Sequence, residues 1–292
     1  MTIAAGFVAT DGILLCADTL YTDGVTKFHG EKIFPWAKNG AVVCFAVSGS
    51  ATIAKMAVDD CKAALNQLNS EQCSPSGIFD TIRIVVKYVQ EQYVDSRPIE
   101  DRENSRFYML VAIHAQSEPA RLYSSSDAAM APVNTYDCIG AGRQLGLYII
   151  EPSYAREMTV DELTILASHA LAAAKERVDG VGGRSQFWTI RDGTVSEVEP
   201  YDYDRAETQV LEYRQKAASL LSWIGDKNLT DKDFKGKLDW FTEEALALRA
   251  TWKGGAAPWE YLTQRLARYR QAGQQDPQST TTEPSLQPPS QE

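Results

Sequence analysis

The sequence lacks the marks of several common protein classes. Lysine and arginine number 29 against 39 aspartates and glutamates, a formal net charge of -10 over 292 residues. This negative balance argues against a nucleic-acid footprint and against binding to an anionic membrane surface. No apolar run approaches the roughly 20 residues that span a bilayer. The sequence does not begin with a basic segment, an apolar segment and a cleavage site, so we expect no signal peptide.

Motifs for metals, nucleotides and disulfides are also missing. There is no HExxH, CxxC or EF-hand pattern, and the three histidines have no ligand spacing, so we expect no metal. No GxxxxGK[ST] sequence occurs, and the glycines that follow Ile139 do not fit the dinucleotide-binding spacing, so we expect no cofactor. The five cysteines are odd in number, which favours a reduced cytoplasmic protein with buried thiols over a disulfide framework.

What the sequence does have is a distinctive first segment. Apolar runs at 3–9 and 13–17 flank Thr10-Asp11-Gly12, the pattern of a buried hairpin. Only Met1 stands before Thr2, and initiator methionine is commonly removed when the next residue is small. Removal would give Thr2 a free α-amine, which titrates near ~8 and lies within reach of its own hydroxyl. Thr2 is therefore a candidate nucleophile that carries its own base.

The next segments predict the frame around this threonine. The run 32–36 predicts a strand that returns Lys32 beside the first hairpin, and the run 41–47 predicts another strand after a Lys-Asn-Gly turn. We expect one antiparallel sheet to hold Thr2, Asp18 and Lys32.

Ser48-Gly49-Ser50 precedes a helical apolar pattern, with Ser48 or Ser50 as the predicted cap. Backbone N–H groups in the first helical turn lack partners and lie at the positive end of the helix dipole. The Gly49 N–H could therefore face a developing oxyanion. The alternative interpretation is an ordinary turn between a strand and a helix.

Further along, helices and strands alternate in groups. Two groups of strands with helices between them fit two sheets flanked by helices. A Thr-Val-Asp-Glu capping box opens one of the helices. The predictions are a helix at 77–92, a charged loop at 98–104, strands at 107–114, 120–123 and 133–139, a helix from Thr159 to Val178, and a hairpin at 186–198.

Four of these patterns, in order, resemble those of the proteasome β-type and HslV-type N-terminal-threonine peptidases. They are Thr2-Ile3, the run from Asp11 to Asp18, Lys32, and Ser48-Gly49-Ser50-Ala51. Thr2 and Asp18 are sixteen residues apart, as in that family. Lys32 follows Asp18 by fourteen residues where the family has sixteen, so the loop between them is shorter. The resemblance covers about residues 2–200.

The resemblance implies an α+β, four-layer αββα sandwich of the N-terminal nucleophile hydrolase type. It further implies Thr2 as nucleophile, Asp18 and Lys32 as its charged partners, and Gly49 N–H as the oxyanion donor. Asp179 resembles the aspartate that orients the nucleophile, although it also suits a turn that ends a helix.

Other positions of the resemblance concern the substrate. Thr22 and Ala51 match positions that bind the substrate strand, and Val47 with Ala51 would form a small apolar pocket. The family's two auxiliary serines are replaced by Ala141 and Gly182.

The predicted function is a threonine-type endopeptidase subunit with a polypeptide substrate. The resemblance further implies a ring or helical homo-oligomer. Because the chain has no nucleotide motif, any ATP-driven unfolding of the substrate must come from a separate partner. The alternatives are a catalytically inactive structural subunit of the proteasome type, and an amidase acting on a small molecule. We predict a peptidase domain at 1–203, an amphipathic helical extension at 204–272 and a disordered tail at 273–292.

Overall fold

The computed structural model describes residues 2–23, 26–116 and 118–252. Its twelve strands, in chain order, are β1 (Ala4–Ala9), β2 (Gly12–Asp18), β3 (Leu20–Asp23), β4 (Thr26–His29), β5 (Ile33–Lys38), β6 (Ala41–Gly49), β7 (Phe107–Ala115), β8 (Arg121–Ser126), β9 (Ala129–Val133), β10 (Tyr136–Ile139), β11 (Ser185–Arg191) and β12 (Thr194–Glu197). The helices are α1 (Ala51–Asn66), α2 (Pro75–Gln90), α3 (Ile99–Ser105), α4 (Arg143–Ile150), α5 (Val160–Arg177), α6 (Pro200–Gly225) and α7 (Asp231–Trp252), and a π-helical turn (Glu91–Asp95) continues α2.

Ten of the strands form two antiparallel sheets. The first has the order β10-β1-β2-β11-β12 and the second the order β5-β6-β7-β8-β9. Three apolar clusters define the layers: one between the two sheets, one between the second sheet and the helices α1 and α2, and one between the first sheet and α5. The predicted four-layer αββα architecture is confirmed.

Strand β6 shows how the sequence specifies these layers. Val43, Phe45 and Val47 belong to the helix-facing cluster, and Cys44 and Ala46 belong to the cluster between the sheets. Side chains alternate across a strand, so a strand with helices on one face and a sheet on the other is apolar throughout. An unbroken apolar run at this position is therefore the mark of a central layer.

The prediction that one sheet frames Thr2, Asp18 and Lys32 is wrong. The strand that follows Lys32 is β5, and it pairs with β6 in the second sheet rather than with the β1–β2 hairpin. Along the chain, between β2 and β5, the strands β3 and β4 form a separate two-stranded ribbon. The segment that joins Asp18 to Lys32 forms this ribbon instead of leading straight back to the β1–β2 hairpin. Lys32 therefore reaches Asp18 from the facing sheet.

Two other predictions differ from the structure. The expected loop at 98–104 contains helix α3, whose first turn carries Glu100 and Asp101 after Pro98, an arrangement that favours a helix start. The expected strand at 133–139 is divided: β9 ends at Val133 in the second sheet, and β10 begins at Tyr136 in the first. The capping box of α5 and the closing hairpin β11–β12 are confirmed.

The chain divides into two compact units, residues 1–215 and 216–292. Within the second unit the rings of Trp223 and Trp240 meet edge to face at 6.0 Å, and Lys216 pairs with Glu244 at 2.5 Å. The domain boundary predicted after residue 203 stays a prediction. Met1, the part of the predicted helical extension beyond residue 252, and the predicted tail at 273–292 lie outside the described residues. Of the helices that are described, none is long and apolar enough to cross a membrane.

Candidate active site

Thr2 lies just before β1, with only 1% of its surface exposed. The carbonyl and the N–H of the Thr2–Ile3 peptide group both form hydrogen bonds. The Thr2 carbonyl accepts a hydrogen bond from Gly142 N at 3.1 Å, and Ile3 N donates to Asp18 Oδ1 at 3.0 Å. Two distant parts of the chain therefore fix the backbone of Thr2.

Asp18 and Lys32 form an ion pair in which both side chains are 0% exposed. Lys32 Nζ donates to Asp18 Oδ1 at 2.8 Å and to the carbonyl of Leu20 at 2.5 Å. The second carboxylate oxygen of Asp18 accepts from Gly182 N at 3.0 Å. The ring of Tyr21 lies 4.7 Å from Lys32 Nζ, within the range of a cation–π contact. Hydrogen bonds and the opposite charge offset part of the cost of burying both groups.

Burial also tunes the proton affinity of these groups. It lowers the pKa of Lys32 from the usual 10.5 to about 8, and the Asp18 carboxylate opposes this fall. Burial raises the pKa of Tyr21, and the charges of Asp18 and Glu31 add to the effect, so the phenol stays neutral. Lys32 is therefore charged at neutral pH but close to its titration.

Two glycines allow the backbone to approach closely at this site. Gly140 has a φ of +90°, and a Cβ there would lie 2.3 Å from the Thr2 carbonyl oxygen. Gly49 also has a φ of +90°, and a Cβ there would lie 2.3 Å from the carbonyl oxygen of Arg106. Both positions require glycine, because an L side chain meets backbone atoms in a conformation that it rarely adopts.

Of the two predicted caps of α1, the structure confirms one in position but not in its side-chain hydrogen bond. Ser50 is the N-cap residue, but its side chain makes no capping hydrogen bond, and Ser48 lies within β6. The backbone N–H of Ser50 instead donates to the Arg106 carbonyl at 2.8 Å. The strand β7 that follows Arg106 pairs with β6, so the sheet itself supplies this acceptor.

A cavity of about 1080 Å³ opens at Thr2. Its lining includes three other predicted residues, Thr22, Gly49 and Ala51. The Thr22 hydroxyl is buried without a hydrogen-bond partner among the described residues. Much of the remaining lining is polar or charged: Glu103, Asn104, Arg106, Tyr108, Ser124, Ser125, Ser126, Asp137 and Arg143.

Two predicted residues lie elsewhere. Val47 belongs to the helix-facing core, because its side chain points away from the space between the sheets, and it is not among the described residues of the cavity lining. Asp179 is exposed in the turn after α5 and is likewise not among them. The segment after this turn reaches the site through Gly182 N, which donates to Asp18.

Sequence reasoning missed several residues that hold the site. Gln186 Oε1 accepts from the backbone N–H of Lys32 at 2.8 Å. Gly140 and Gly142 contact the Thr2 carbonyl, and Gly182 contacts Asp18. The signals in the sequence were the clustering of glycines at 140–142 and 180–183 and the resemblance, which places auxiliary positions at Ala141 and Gly182 within these clusters.

Fold and site together define a class: an αββα sandwich with a buried aspartate–lysine pair next to a threonine that opens on a cavity. A family model described as "Proteasome subunit" matches residues 2–190. The chain belongs to the proteasome subunit family.

Individual relatives are distant. "Proteasome subunit beta 1" of Pyrobaculum calidifontis is 27% identical over 192 residues, which cover 65% of this chain and 90% of the relative. Anbu, an ancestral beta-subunit from Yersinia bercovieri, superposes with a TM-score of 0.64 at 13% identity, over 76% of this chain and 97% of that one. The Anbu complex from Pseudomonas aeruginosa, solved as a helical assembly, gives a TM-score of 0.62 at 13% identity, over 76% and 95%. At such identities the structures are evidence for the fold alone.

Proposed function

We propose that the protein is a threonine-type endopeptidase subunit whose nucleophile is Thr2 after removal of Met1. The observation that carries the proposal is the fully buried Asp18–Lys32 pair, which holds the Thr2–Ile3 peptide at the cavity. A buried lysine with a lowered pKa beside a hydroxyl nucleophile is an arrangement typical of catalytic sites.

The chemistry follows from the group next to the cavity. Thr2 Oγ attacks the carbonyl carbon of a substrate peptide bond, and its α-amine takes the hydroxyl proton. Charged Lys32 stabilises the developing negative charge, and Gly49 N–H donates to the oxyanion. The α-ammonium then returns the proton to the leaving amine, which leaves an ester on Thr2. A water molecule hydrolyses the ester and restores the free hydroxyl.

Asp18 serves as a positioning residue in this proposal. Its carboxylate contacts Lys32 Nζ and the backbone N–H of Ile3, so it aligns the cation with the nucleophile's own backbone. The orienting role expected of Asp179 has no support from its exposed position. We assign the contribution of that segment to the Gly182 N–H, which satisfies the other Asp18 oxygen.

We propose that the cavity binds an extended polypeptide. The buried Thr22 hydroxyl has no partner among the described residues, so a substrate backbone can take up its hydrogen bond. Ala51 lies at the start of α1 on the cavity wall. The small apolar pocket rests on Ala51 alone, because Val47 lies in the core.

We also propose that the chain self-assembles, as a ring or a helix, with a separate ATP-dependent unfolding partner. Membership of the proteasome subunit family supports the first part, since these subunits assemble into oligomers. The sequence has no nucleotide motif, so ATP-driven unfolding of a folded substrate would have to come from such a partner.

The test combines intact mass with covalent labelling. Active particles should lack Met1, and a threonine-directed electrophile should add once per subunit at Thr2. Thr2→Ala should abolish both labelling and peptide hydrolysis, whereas Thr2→Ser, which keeps a hydroxyl, should retain part of both. Retention of Met1 in active particles contradicts the mechanism. A folded assembly that is never labelled points to a structural subunit, and cleavage of small amides but not of peptides points to an amidase.

A further inference from the structure

Three polar side chains form a closed cluster behind the candidate active site. Lys175 Nζ on α5 donates to Ser185 Oγ at 2.8 Å and to Glu207 Oε2 at 2.8 Å. Ser185 Oγ in turn donates to Glu207 Oε1. Ser185 is 2% exposed, and the side chains of Lys175 and Glu207 are 17% and 15% exposed. Each side chain contacts the other two, so the cluster ties α5, β11 and α6 together.

The end of β11 that carries Ser185 contacts both members of the buried ion pair. Ser185 lies opposite Asp18 in the register of β11 and β2. The next residue, Gln186, accepts a hydrogen bond from the backbone N–H of Lys32. Just before β11, Gly182 donates to Asp18. Any displacement of this end of the strand would therefore move the groups that hold the pair.

Glu207 comes from a part of the chain beyond the family match, which ends at residue 190. The same face of α6 buries Tyr203, Ala206 and Val210, at the three- and four-residue spacing of one helical stripe. Tyr203 stacks on Phe187 of β11, with ring centroids 4.9 Å apart. These apolar contacts thus fix the position of α6 against β11. In this position Glu207 accepts the hydrogen bond from Ser185.

We propose that Glu207 is a positioning residue for the active site: through Ser185 it fixes the start of β11, and β11 in turn sets the Asp18–Lys32 pair. The consequence for catalysis rests on the function proposed above. The consequence for the ion pair does not, because it concerns the charge of Lys32 in the resting protein.

The direction of the effect follows from the groups that surround Lys32. Asp18 on β2 and Tyr21 on β3 face its ammonium. Lys175 and Glu207 are bonded to Ser185 at the start of β11 rather than to Lys32. Asp18 favours the charged form of Lys32, so loosening this carboxylate lets the lysine lose its proton more readily.

The test uses Glu207→Gln, which removes the charge and keeps the size. We expect labelling of Thr2 to slow roughly tenfold or more, because a small misplacement of a reacting group is costly. We also expect the rate to begin its fall at a lower pH than in the wild type. Glu176→Gln is the matched control, since Glu176 also links α5 to α6, through Arg214, on the exposed face of α5. It should behave as the wild type in both measurements.

A second readout does not need turnover. In protein with ¹³C-labelled lysine, the Lys32 resonance is assigned by its loss in Lys32→Arg, and its titration midpoint is followed with pH. We expect a lower midpoint in Glu207→Gln and an unchanged one in Glu176→Gln. If the wild type is never labelled but this shift occurs, the proposed function fails and the positioning role stands.

Ser185→Ala makes the test independent of whether Glu207→Gln folds. It removes the link to β11 but keeps the Lys175–Glu207 pair, and we expect both readouts to change in the same direction as in Glu207→Gln. Folding of each variant is checked by thermal melting. Wild-type labelling rate, pH dependence and Lys32 midpoint in a folded Glu207→Gln or Ser185→Ala protein would overturn the proposal.

Discussion

Charged side chains occur in two different settings at the candidate active site. Next to Thr2, Asp18 and Lys32 are fully buried at 2.8 Å, and backbone N–H groups of Ile3 and Gly182 complete the aspartate's hydrogen bonds. The cavity lining itself carries a charged rim, which we define as Glu103, Arg106, Asp137 and Arg143. Its pairs are Arg106–Glu103 at 2.8 Å and Arg143–Asp137 at 3.3 Å, and both arginine side chains are more than 40% exposed.

The buried pair and the charged rim differ in whether they can supply a fixed electrostatic field. Water and salt screen the charged rim, and exposed pairs of this kind contribute about 0–1 kcal/mol each. The buried pair is screened little, and its geometry is set by backbone contacts from three segments of the chain. A fixed field stabilises charge that develops during a reaction, whereas exposed side chains adapt to different ligands. The proposed function therefore assigns the chemistry to the buried pair and the accommodation of substrate to the charged rim.

The largest expected effect comes from breaking the buried pair. Lys32→Met removes the cation and leaves Asp18 buried and uncompensated, which should cost about 3–5 kcal/mol in the free energy of unfolding. Labelling of Thr2 should fall at least ~10²-fold. Denaturant unfolding and labelling kinetics measure the two effects. Lys55→Met is the matched control, because its pair with Asp59 is exposed at 62% and 58%, and it should cost less than about 0.5 kcal/mol.

A double variant separates stability from chemistry. Combining Lys32→Met with Asp18→Asn removes both buried charges, so part of the lost stability should return. The recovery is partial because the new amide NH2 must face one of the two backbone N–H groups, of Ile3 or Gly182, that donate to Asp18. Labelling should stay as low as in Lys32→Met alone. Recovery of labelling in the double variant would show that Thr2 does not need the charge of Lys32.

The next effect concerns the backbone contact at Thr2. In Gly140→Ala the new Cβ meets the Thr2 carbonyl oxygen at 2.3 Å and must displace it. We expect labelling to slow by roughly 10–10²-fold through misplacement of the nucleophile. Gly40→Ala shares the positive φ, +75°, but has nothing within 4 Å. It should cost only the backbone strain of about 1–3 kcal/mol and leave labelling unchanged in the folded protein. Equal labelling rates in the two variants would contradict this account of Gly140.

A smaller effect should appear with pH, because Lys32 loses its proton near a pKa of about 8. kcat/KM should therefore fall as pH rises through about 8, if the charged lysine is needed. The free energy of unfolding should change in the opposite direction from kcat/KM as the pH rises. Between about 8 and 10.5 the unfolded chain binds more protons at Lys32 than the folded one, so the free energy of unfolding should rise with pH. The double variant, which lacks both charges, should show neither dependence at Lys32.

The proposed nucleophile and its charged partners could be predicted from the sequence, because they lie in one short stretch with recognisable spacing. Thr2, Asp18 and Gly49 are read from local patterns, and the structure places Lys32 against Asp18 as the pattern implied. What could not be read were backbone contacts across the fold. The Gly182 N–H reaches Asp18 over 164 residues of chain, and Gln186 reaches Lys32 over 154. Such contacts depend on the pairing of β11 with β2, which no local pattern specifies.

The charged rim gives the smallest expected effect and the sharpest contrast with the buried pair. Arg143→Gln removes a half-exposed charge whose partner, Asp137, keeps another hydrogen bond from Cys138 N at 2.8 Å. We expect kcat to stay the same and KM for a charged peptide to change no more than about threefold, with the change disappearing at high salt. Steady-state kinetics with acidic and basic peptides at two ionic strengths measure this. A loss of kcat as large as that in Lys32→Met would mean that the rim belongs to the reacting groups, and the division between fixed and adaptable charge would fail.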